Sequence, residues 1–424
     1  MSHFAVVAPP YYSHFQALQA LAGELLERGH QVTFFHQDDA ARWLADPRIG
    51  FHPLGRGSHP PGSLAQALRD ASRPGTPWGL RRIIRQLAAT TTMLCNELPD
   101  ALTKARVDAV LCDQMEAAGG LVAQSLNLPF ISFACALPIN REPGLPLPVM
   151  PFAYGHDEHH LRIYQGSTRV YDWLMTPLNQ AIEQACVQLH ITARRGLHEC
   201  LSPLAHISQT LTGFDFPRQS LPAHFHAVGP LRGLPDGASG PWPIDASKPF
   251  VFASLGTLQG DRIGMFEQIA AACRQLGAQL LIAHCGHLDS RQEQRLLARG
   301  ARWVTDFAPQ QWALTQADAV ITHGGLNTVM DAIAAGTPML VMPIAFDQPG
   351  VAARVRYRGL GLTLHRLARA PRIAAALRTL LATPWTGFGA LQSELANAGG
   401  IARAADIVDA AVRLRCPVRA GEAT

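Results

Sequence analysis

Between Trp303 and Gln348 the chain reads WVTDFAPQQWALTQADAVITHGGLNTVMDAIAAGTPMLVMPIAFDQ, and its polar residues are spaced to hold a phosphorylated sugar. His323-Gly324-Gly325 separates a short apolar run, Ala319 to Thr322, from Leu326 to Ala335, whose apolar residues recur with helical spacing. Side chains missing from such a turn let a ligand approach the backbone. Asn327 and Thr328 fall in the first turn of the predicted helix, where unpaired N–H groups and the positive end of the dipole attract anions. Asp331 lies one turn deeper on the same face, and a carboxylate there can accept two hydrogen bonds from a vicinal diol. Another apolar run, Met339 to Ile344, delivers Asp347 and Gln348 just past its end, where open α/β sheets bind ligands. Phosphate site, diol acceptor and a polar pair for further hydroxyls describe a nucleotide-sugar pocket.

A second pair of residues suits proton transfer. His14 follows the first apolar run, His3 to Ala8, and Asp113 follows another, Val107 to Cys112. A lone loop histidine ordinarily caps a helix or faces solvent. Two strands of one parallel sheet, however, can bring an imidazole and a carboxylate together at their C-terminal ends. The carboxylate would then hold the ring's tautomer and stabilise imidazolium while the other nitrogen takes a proton.

These residues need a scaffold of alternating strands and helices. The opening reads strand, loop, helix (Gln16 to Arg28, with Gly29 closing it), strand (Val32 to Phe35), and this βα rhythm returns from Phe250 onward. The first turn, Pro9-Pro10-Tyr11-Tyr12-Ser13-His14, has no G-x-G-x-x-G, so a dinucleotide cofactor is disfavoured. Gly233 to Lys248 is rich in Gly, Pro and Ser and reads as a linker. The expected division is an acceptor-binding domain over 1–232, a linker over 233–248, a donor-binding domain over 249–385 and a returning helical segment over 386–424. The sequence has no internal repeat. Phe130 to Phe152 is apolar and proline-dense, hence not a regular helix, and fits either the wall of a greasy cleft or a loop packed on the core. Pro74 to Ala101 is amphipathic, with Arg81, Arg82 and Arg85 near Trp78; a solvated basic face and a membrane-surface helix are both open readings. A helix over Leu161 to Arg195, a strand over Leu204 to Leu211 and helices over Ile373 to Ala382 and Leu391 to Leu414 complete the expected elements.

Composition narrows the class. The chain has 424 residues, enough for two domains, and a net charge of +4 that is too mild and scattered to argue for nucleic acid. Eight cysteines without a C-x-x-C pair read as buried free thiols of a reducing compartment. The first residues show no basic leader, and no stretch approaches the roughly 20 apolar residues that span a bilayer. A cytoplasmic or at most peripheral membrane protein is expected. His156-Asp157-Glu158-His159-His160 lacks the spacing of a helical metal site and reads as an exposed loop. There is no D-x-D triplet to carry a metal-bound diphosphate. No metal and no cofactor are expected, and leaving-group charge must be met by dipoles and hydrogen bonds.

The stretch from Trp303 to Gln348 resembles the signature box of UDP-dependent glycosyltransferases, over more than forty residues with spacings intact. The resemblance implies the GT-B architecture: an α/β fold of two facing Rossmann-like domains, with a C-terminal helix crossing back to the first. It implies that Phe307 stacks on uracil, with Ala308 and Gln310 near base and ribose. His323, Asn327 and Thr328 would contact the diphosphate, with Gly325 in the turn and Ser254, Gly256 and Thr257 approaching from the preceding strand end. Asp331 would take the ribose diol, and Asp347 and Gln348 would read the sugar. His14 and Asp113 would form the catalytic dyad. Phe replaces the usual Trp at 307, and Asp replaces a longer Glu at 331. HAVGPLR around Gly229 and the N-terminal stretch resemble, more narrowly, the glucosyltransferases of bacterial carotenoid pathways. That likeness implies UDP-glucose as donor and a hydrophobic hydroxylated carotenoid as acceptor. Another apolar acceptor (polyketide, sterol or phenolic), a nucleotide-sugar epimerase, and a non-catalytic binding module are the alternatives.

Overall fold

A computed structural model describes residues 1–73, 77–233 and 239–421. The first seven strands, β1 (His3–Val7), β2 (Gln31–Gln37), β3 (Gly50–Leu54), β4 (Ala109–Asp113), β5 (Phe130–Ala134), β6 (His206–Ser208) and β7 (Phe225–Ala227), form one sheet in the order 3-2-1-4-5-6-7. The next six, β8 (Phe250–Ser254), β9 (Gln279–Ala283), β10 (Trp303–Thr305), β11 (Ala319–Thr322), β12 (Met339–Val341) and β13 (Gly361–Thr363), form a second in the order 10-9-8-11-12-13. Every pairing in both sheets is parallel. Parallel strands need crossover helices on both faces, which explains why β4, β5, β8 and β9 are buried throughout and apolar almost without alternation.

Strand order reverses between β1 and β4 in one sheet and between β8 and β11 in the other. At these switch points neighbouring crossovers leave toward opposite faces, and a crevice opens beyond the strands' C-terminal ends. Asp113 ends β4, and His14 follows β1. Ser254 ends β8, and His323 follows β11. The two predicted clusters thus occupy the two crevices.

Both faces of the first sheet are covered. Helix Tyr12–Glu27 packs on one face together with Ala404, Ile407, Val408 and Ala411 from helix Gly400–Leu414, so the chain's end does return to the first sheet. Arg28 reinforces that contact with Asp406 at 2.7 Å and Asp409 at 3.1 Å. Helices Pro77–Ala105, Ala117–Ser125 and Thr176–Gln188 cover the other face. A second tie links the two sheets' units. Asp215, beyond β6, accepts from the fully buried Arg354 of helix Gln348–Tyr357 at 2.6 Å and from Arg218 at 2.6 Å.

Several local expectations are corrected. The first helix begins at Tyr12 rather than Gln16, so His14 sits in its first turn. The region from Leu391 to Leu414 is two helices, Phe388–Asn397 and Gly400–Leu414. Gly399 and Gly400, at φ 85° and 53°, take a left-handed path between them that side chains disfavour. The strand expected over Leu204 to Leu211 is only three residues long. The run from His156 to His160 is not a loop: Asp157 caps helix Glu158–Leu174 by accepting from the His160 N–H at 3.0 Å. The cysteines are free, but Cys416 is exposed and Cys200 and Cys285 are half-buried. Part of the expected linker, 234–238, and the start of the amphipathic segment, 74–76, lie outside the described residues. No described helix is long and apolar enough to cross a membrane.

Candidate active site

Strand β1 ends where Ala8 to Tyr11 turn into helix Tyr12–Glu27, and this puts His14 over the end of β4. His14 Nδ1 lies 2.7 Å from Asp113 Oδ2. Asp113 is buried, and its Oδ1 accepts the Met115 N–H at 2.8 Å, which fixes the carboxylate. Nδ1 therefore carries the proton it donates to Asp113, and the lone pair sits on Nε2, which has no hydrogen-bond partner among the described residues. Burial works against imidazolium, but the charge of Asp113, its hydrogen bond and the charge of Asp347 outweigh it. The pKa of His14 is raised above the ordinary 6.5. Such a ring accepts a proton readily.

The cavity in front of His14 has a volume of about 850 Å³ and is walled by both sheets' loops. From the second unit it takes Ser254, Gly256, Thr257, Phe307, Gln310, His323, Gly325, Asn327, Thr328, Asp347 and Gln348. Ala308 and Asp331 do not line it. From the first unit the wall includes Cys135, Leu137, Ile139, Leu147, Pro148 and Val149, so the proline-dense segment after β5 faces the cleft.

His323 owes its place to glycines. A Cβ on Gly256 would lie 2.6 Å from its Cε1, and one on Gly325 would lie 2.6 Å from the same atom. Gly256 also has φ +73°, a backbone only glycine adopts cheaply. These glycines do more than admit a ligand to the backbone; they clear the space the imidazole occupies. Burial pushes the His323 pKa down to about 4, so the ring is neutral at pH 7 and can form hydrogen bonds without carrying a full charge. Helix Leu326–Ala335 starts beside it, and Asn327, half-buried on the cavity wall, has no side-chain hydrogen bond among the described residues. Phe307 is 65% exposed, leaving its ring open to stacking.

Asp347 is held by a partner from the opposite unit. Its Oδ2 accepts the Leu137 N–H at 3.2 Å, and burial raises its pKa against that bond and the nearby His14. Gln348 Oε1 accepts the N–H groups of Ile344 and Ala345, both at 2.8 Å, which pins the turn that presents both residues. Phe346 in this turn has φ 57°, a strained conformation for a non-glycine residue, and its ring approaches Tyr11 at 6.1 Å.

Asp331 differs from expectation. It is buried behind the wall, with Oδ2 accepting from Gln310 at 2.6 Å and Oδ1 from Arg232 at 2.5 Å and Gln311 at 3.3 Å. Leu137 and Tyr11 line the cavity and Arg232 stands behind its wall, and sequence reasoning singled out none of the three. Only Tyr11, the residue immediately before the helix that carries His14, had a positional signal.

Among the described residues, two groups of side chains stand close enough for a metal: His14 with Asp113 and Cys135, and His284 with Glu293 and Asp306. In the second, His284 Nδ1 accepts the Leu288 N–H at 3.1 Å, which leaves the proton on Nε2 facing Glu293 at 3.0 Å. That nitrogen has no lone pair to give.

Residues 4–386 match the family model for UDP-glucoronosyl and UDP-glucosyl transferase. The chain belongs to this family. It is a glycosyltransferase, and it is 48% identical over 425 residues to the zeaxanthin glucosyltransferase of Pantoea ananas, covering 99% of this chain and 98% of that one. The zeaxanthin glucosyltransferase of Pseudescherichia vulneris is likewise 48% identical, over 97% of this chain and 98% of its own length. Among solved structures, the calicheamicin glycosyltransferase CalG4 superposes with a TM-score of 0.75 at 20% identity, covering 98% of this chain and 100% of that one. The glycosyltransferase VinC, solved in complex with DTDP, does so at 0.67 and 19%, covering 97% and 100%. These neighbours establish the GT-B fold for this glycosyltransferase.

Proposed function

We propose that this glycosyltransferase moves glucose from UDP-glucose to the terminal ring hydroxyls of a hydroxylated carotenoid, converting zeaxanthin to its mono- and di-β-glucosides. The observation that carries the chemistry is the His14–Asp113 pair, 2.7 Å apart, with Nε2 unpartnered in a cavity shared by both units. The acceptor hydroxyl donates to Nε2. As its oxygen bonds to the anomeric carbon from the face opposite UDP, the bond to the diphosphate breaks, the proton passes to His14, and UDP leaves with the electron pair. An α-linked donor thus yields a β-glucoside. His323, Asn327, Thr328 and the start of helix Leu326–Ala335 meet the charge on the diphosphate with hydrogen bonds and dipole, without a metal. Phe307 stacks on the base, and Asp347 and Gln348 read the sugar. The acceptor assignment leans on the two relatives' names and fits the apolar wall from Cys135 to Val149. Mass spectrometry of products from zeaxanthin and UDP-glucose with EDTA present tests it. Glucosides at one and two hexose units are expected. Glucosylation of a sterol, polyketide or phenol but not of zeaxanthin refutes the acceptor, and loss of activity in EDTA refutes the metal-free step.

The reading includes peripheral contact with an anionic membrane, where such an acceptor dissolves. Trp78 and Trp173 are 79% and 62% exposed, and Arg81 stacks over Trp173 at 5.7 Å, so helices Pro77–Ala105 and Glu158–Leu174 present both indoles at one corner. Arg82, Arg85 and Arg169 are exposed there, and Leu87 and Tyr171 of the same helices line the cavity. Indole rings beside arginines suit the headgroup layer. Co-sedimentation with phosphatidylglycerol vesicles, stronger than with phosphatidylcholine and reduced in Trp78→Ala/Trp173→Ala, is expected; wild-type protein that stays in the supernatant rules the contact out.

A further inference from the structure

The nucleotide pocket of a glycosyltransferase of this family is built on one unit, yet one of its supports comes from the other. Arg232 closely follows β7, the last strand of the first sheet. Its Nη2 reaches 2.5 Å from Asp331 Oδ1, and the Asp331 side chain is 4% exposed. The other carboxylate oxygen accepts from Gln310 Nε2 at 2.6 Å. Gln310 Oε1 in turn accepts from the Thr328 hydroxyl at 3.2 Å. Gln310 and Thr328 face the cavity, while Asp331 stands behind them. Burial raises the Asp331 pKa, and Arg232 is the first of the groups that oppose this, ahead of Gln310 and Gln311.

We infer that Arg232 is a positioning residue for the nucleoside diphosphate: it holds Asp331 in place, and Asp331 aims Gln310 and Thr328 into the pocket. Gln310 is thereby held with its amide nitrogen on the carboxylate and its oxygen on Thr328, an orientation a free glutamine would adopt only part of the time. A ligand binding to Gln310 and Thr328 then meets groups already ordered, and less of its interaction energy goes to ordering them. Because Arg232 belongs to the segment leading into the linker, nucleotide affinity depends on how that segment sits against the second unit. The inference rests on the reading of this cleft as the UDP site.

The experiment is calorimetric titration of UDP into the full chain. Arg232→Ala is expected to weaken UDP binding about tenfold, within the usual range for coupled sites, with kcat at saturating donor unchanged. Arg232→Lys, which keeps the charge on a single N–O contact, restores most of the affinity. In a Gln310→Ala background the further change Arg232→Ala has no added effect, since residues acting through one another are not additive. Thermal melts show whether Arg232→Ala stays folded; if it does not, Asp331→Asn, which removes the charge needing a partner, serves as the background in which Arg232→Ala becomes silent. A folded Arg232→Ala protein with wild-type affinity overturns the inference, as does an equal loss in the Gln310→Ala background. Failure of the wild-type chain to bind UDP at all overturns instead the site assignment beneath it.

Discussion

Replacing Asp113 with Asn removes one charge and leaves the shape of the site. At present Asp113 Oδ2 lies 2.7 Å from His14 Nδ1 and is buried, so little water screens the pair. Two unit charges about 4 Å apart at an effective dielectric of about 20 interact by about 4 kcal/mol. A tenfold change in rate is about 1.4 kcal/mol, so losing that support for the developing imidazolium slows transfer by about three decades. This falls within the 10²–10⁴-fold worth of a positioned general base. The sign of the pH effect follows from the same charge. With Asp113 present, the His14 pKa is above 6.5, and the base is lost as pH falls through that value. Without it, the burial penalty that holds His36 at about 3 and His323 at about 4 acts with little opposition, and the acid limb moves to lower pH. The assay is initial rate of UDP release from pH 5 to 9 with saturating UDP-glucose. Asp113→Asn with kcat/KM within threefold of wild type, or with an unmoved acid limb, would refute the dyad.

Other outcomes follow from the same geometry. His14→Ala loses about 10²–10⁴-fold in kcat while UDP affinity, measured by calorimetry, stays near wild type. Gly325→Ala puts a Cβ 2.6 Å from His323 Cε1 at an ordinary φ, so it displaces the ring and weakens UDP binding at little cost to the backbone; unchanged affinity would place His323 outside the diphosphate site. Gly256→Ala crowds the same ring at φ +73°, and a denaturant midpoint should report an additional destabilisation of about 1–2 kcal/mol. Asp215→Ala strands the buried Arg354 and should cost about 3–5 kcal/mol in denaturation experiments. Because Arg354 and Arg218 outweigh burial and depress the Asp215 carboxyl, that contribution is present above pH 3.8 and is lost as pH falls through the depressed value.

Much of this architecture was legible because parallel sheets write themselves as unbroken apolar runs; β4, β8 and β11 stood out for that reason. The placement of a residue was legible where its position relative to a strand end decides its direction, as with His14, Asp113, His323 and Asp347. Asp331 was misplaced because periodicity gives the helical face but not which neighbour covers it: the face toward Asn327 is also the face that meets Gln310 and Arg232. Arg232 closes the HAVGPLR stretch, yet its contact was not legible, since its partner is far along the chain and nothing local marks the pairing. The break at Gly399-Gly400 was visible as a glycine pair, yet the apolar repeat continued across it and masked the signal.

The last helix bears on how the polypeptide is made. Ala404, Ile407 and Val408 complete the core beneath β1 and β2, and beyond them the Val418 N–H reaches the Leu204 carbonyl at 2.9 Å and the Ala420 N–H that of Ala223 at 2.7 Å. When the ribosome has finished the first half, that half still lacks part of one of its own layers and must wait for helix Gly400–Leu414. Premature termination therefore harms the part synthesised first: it leaves the opening helix and strands with an uncovered greasy surface, an invitation to chaperones and to aggregation.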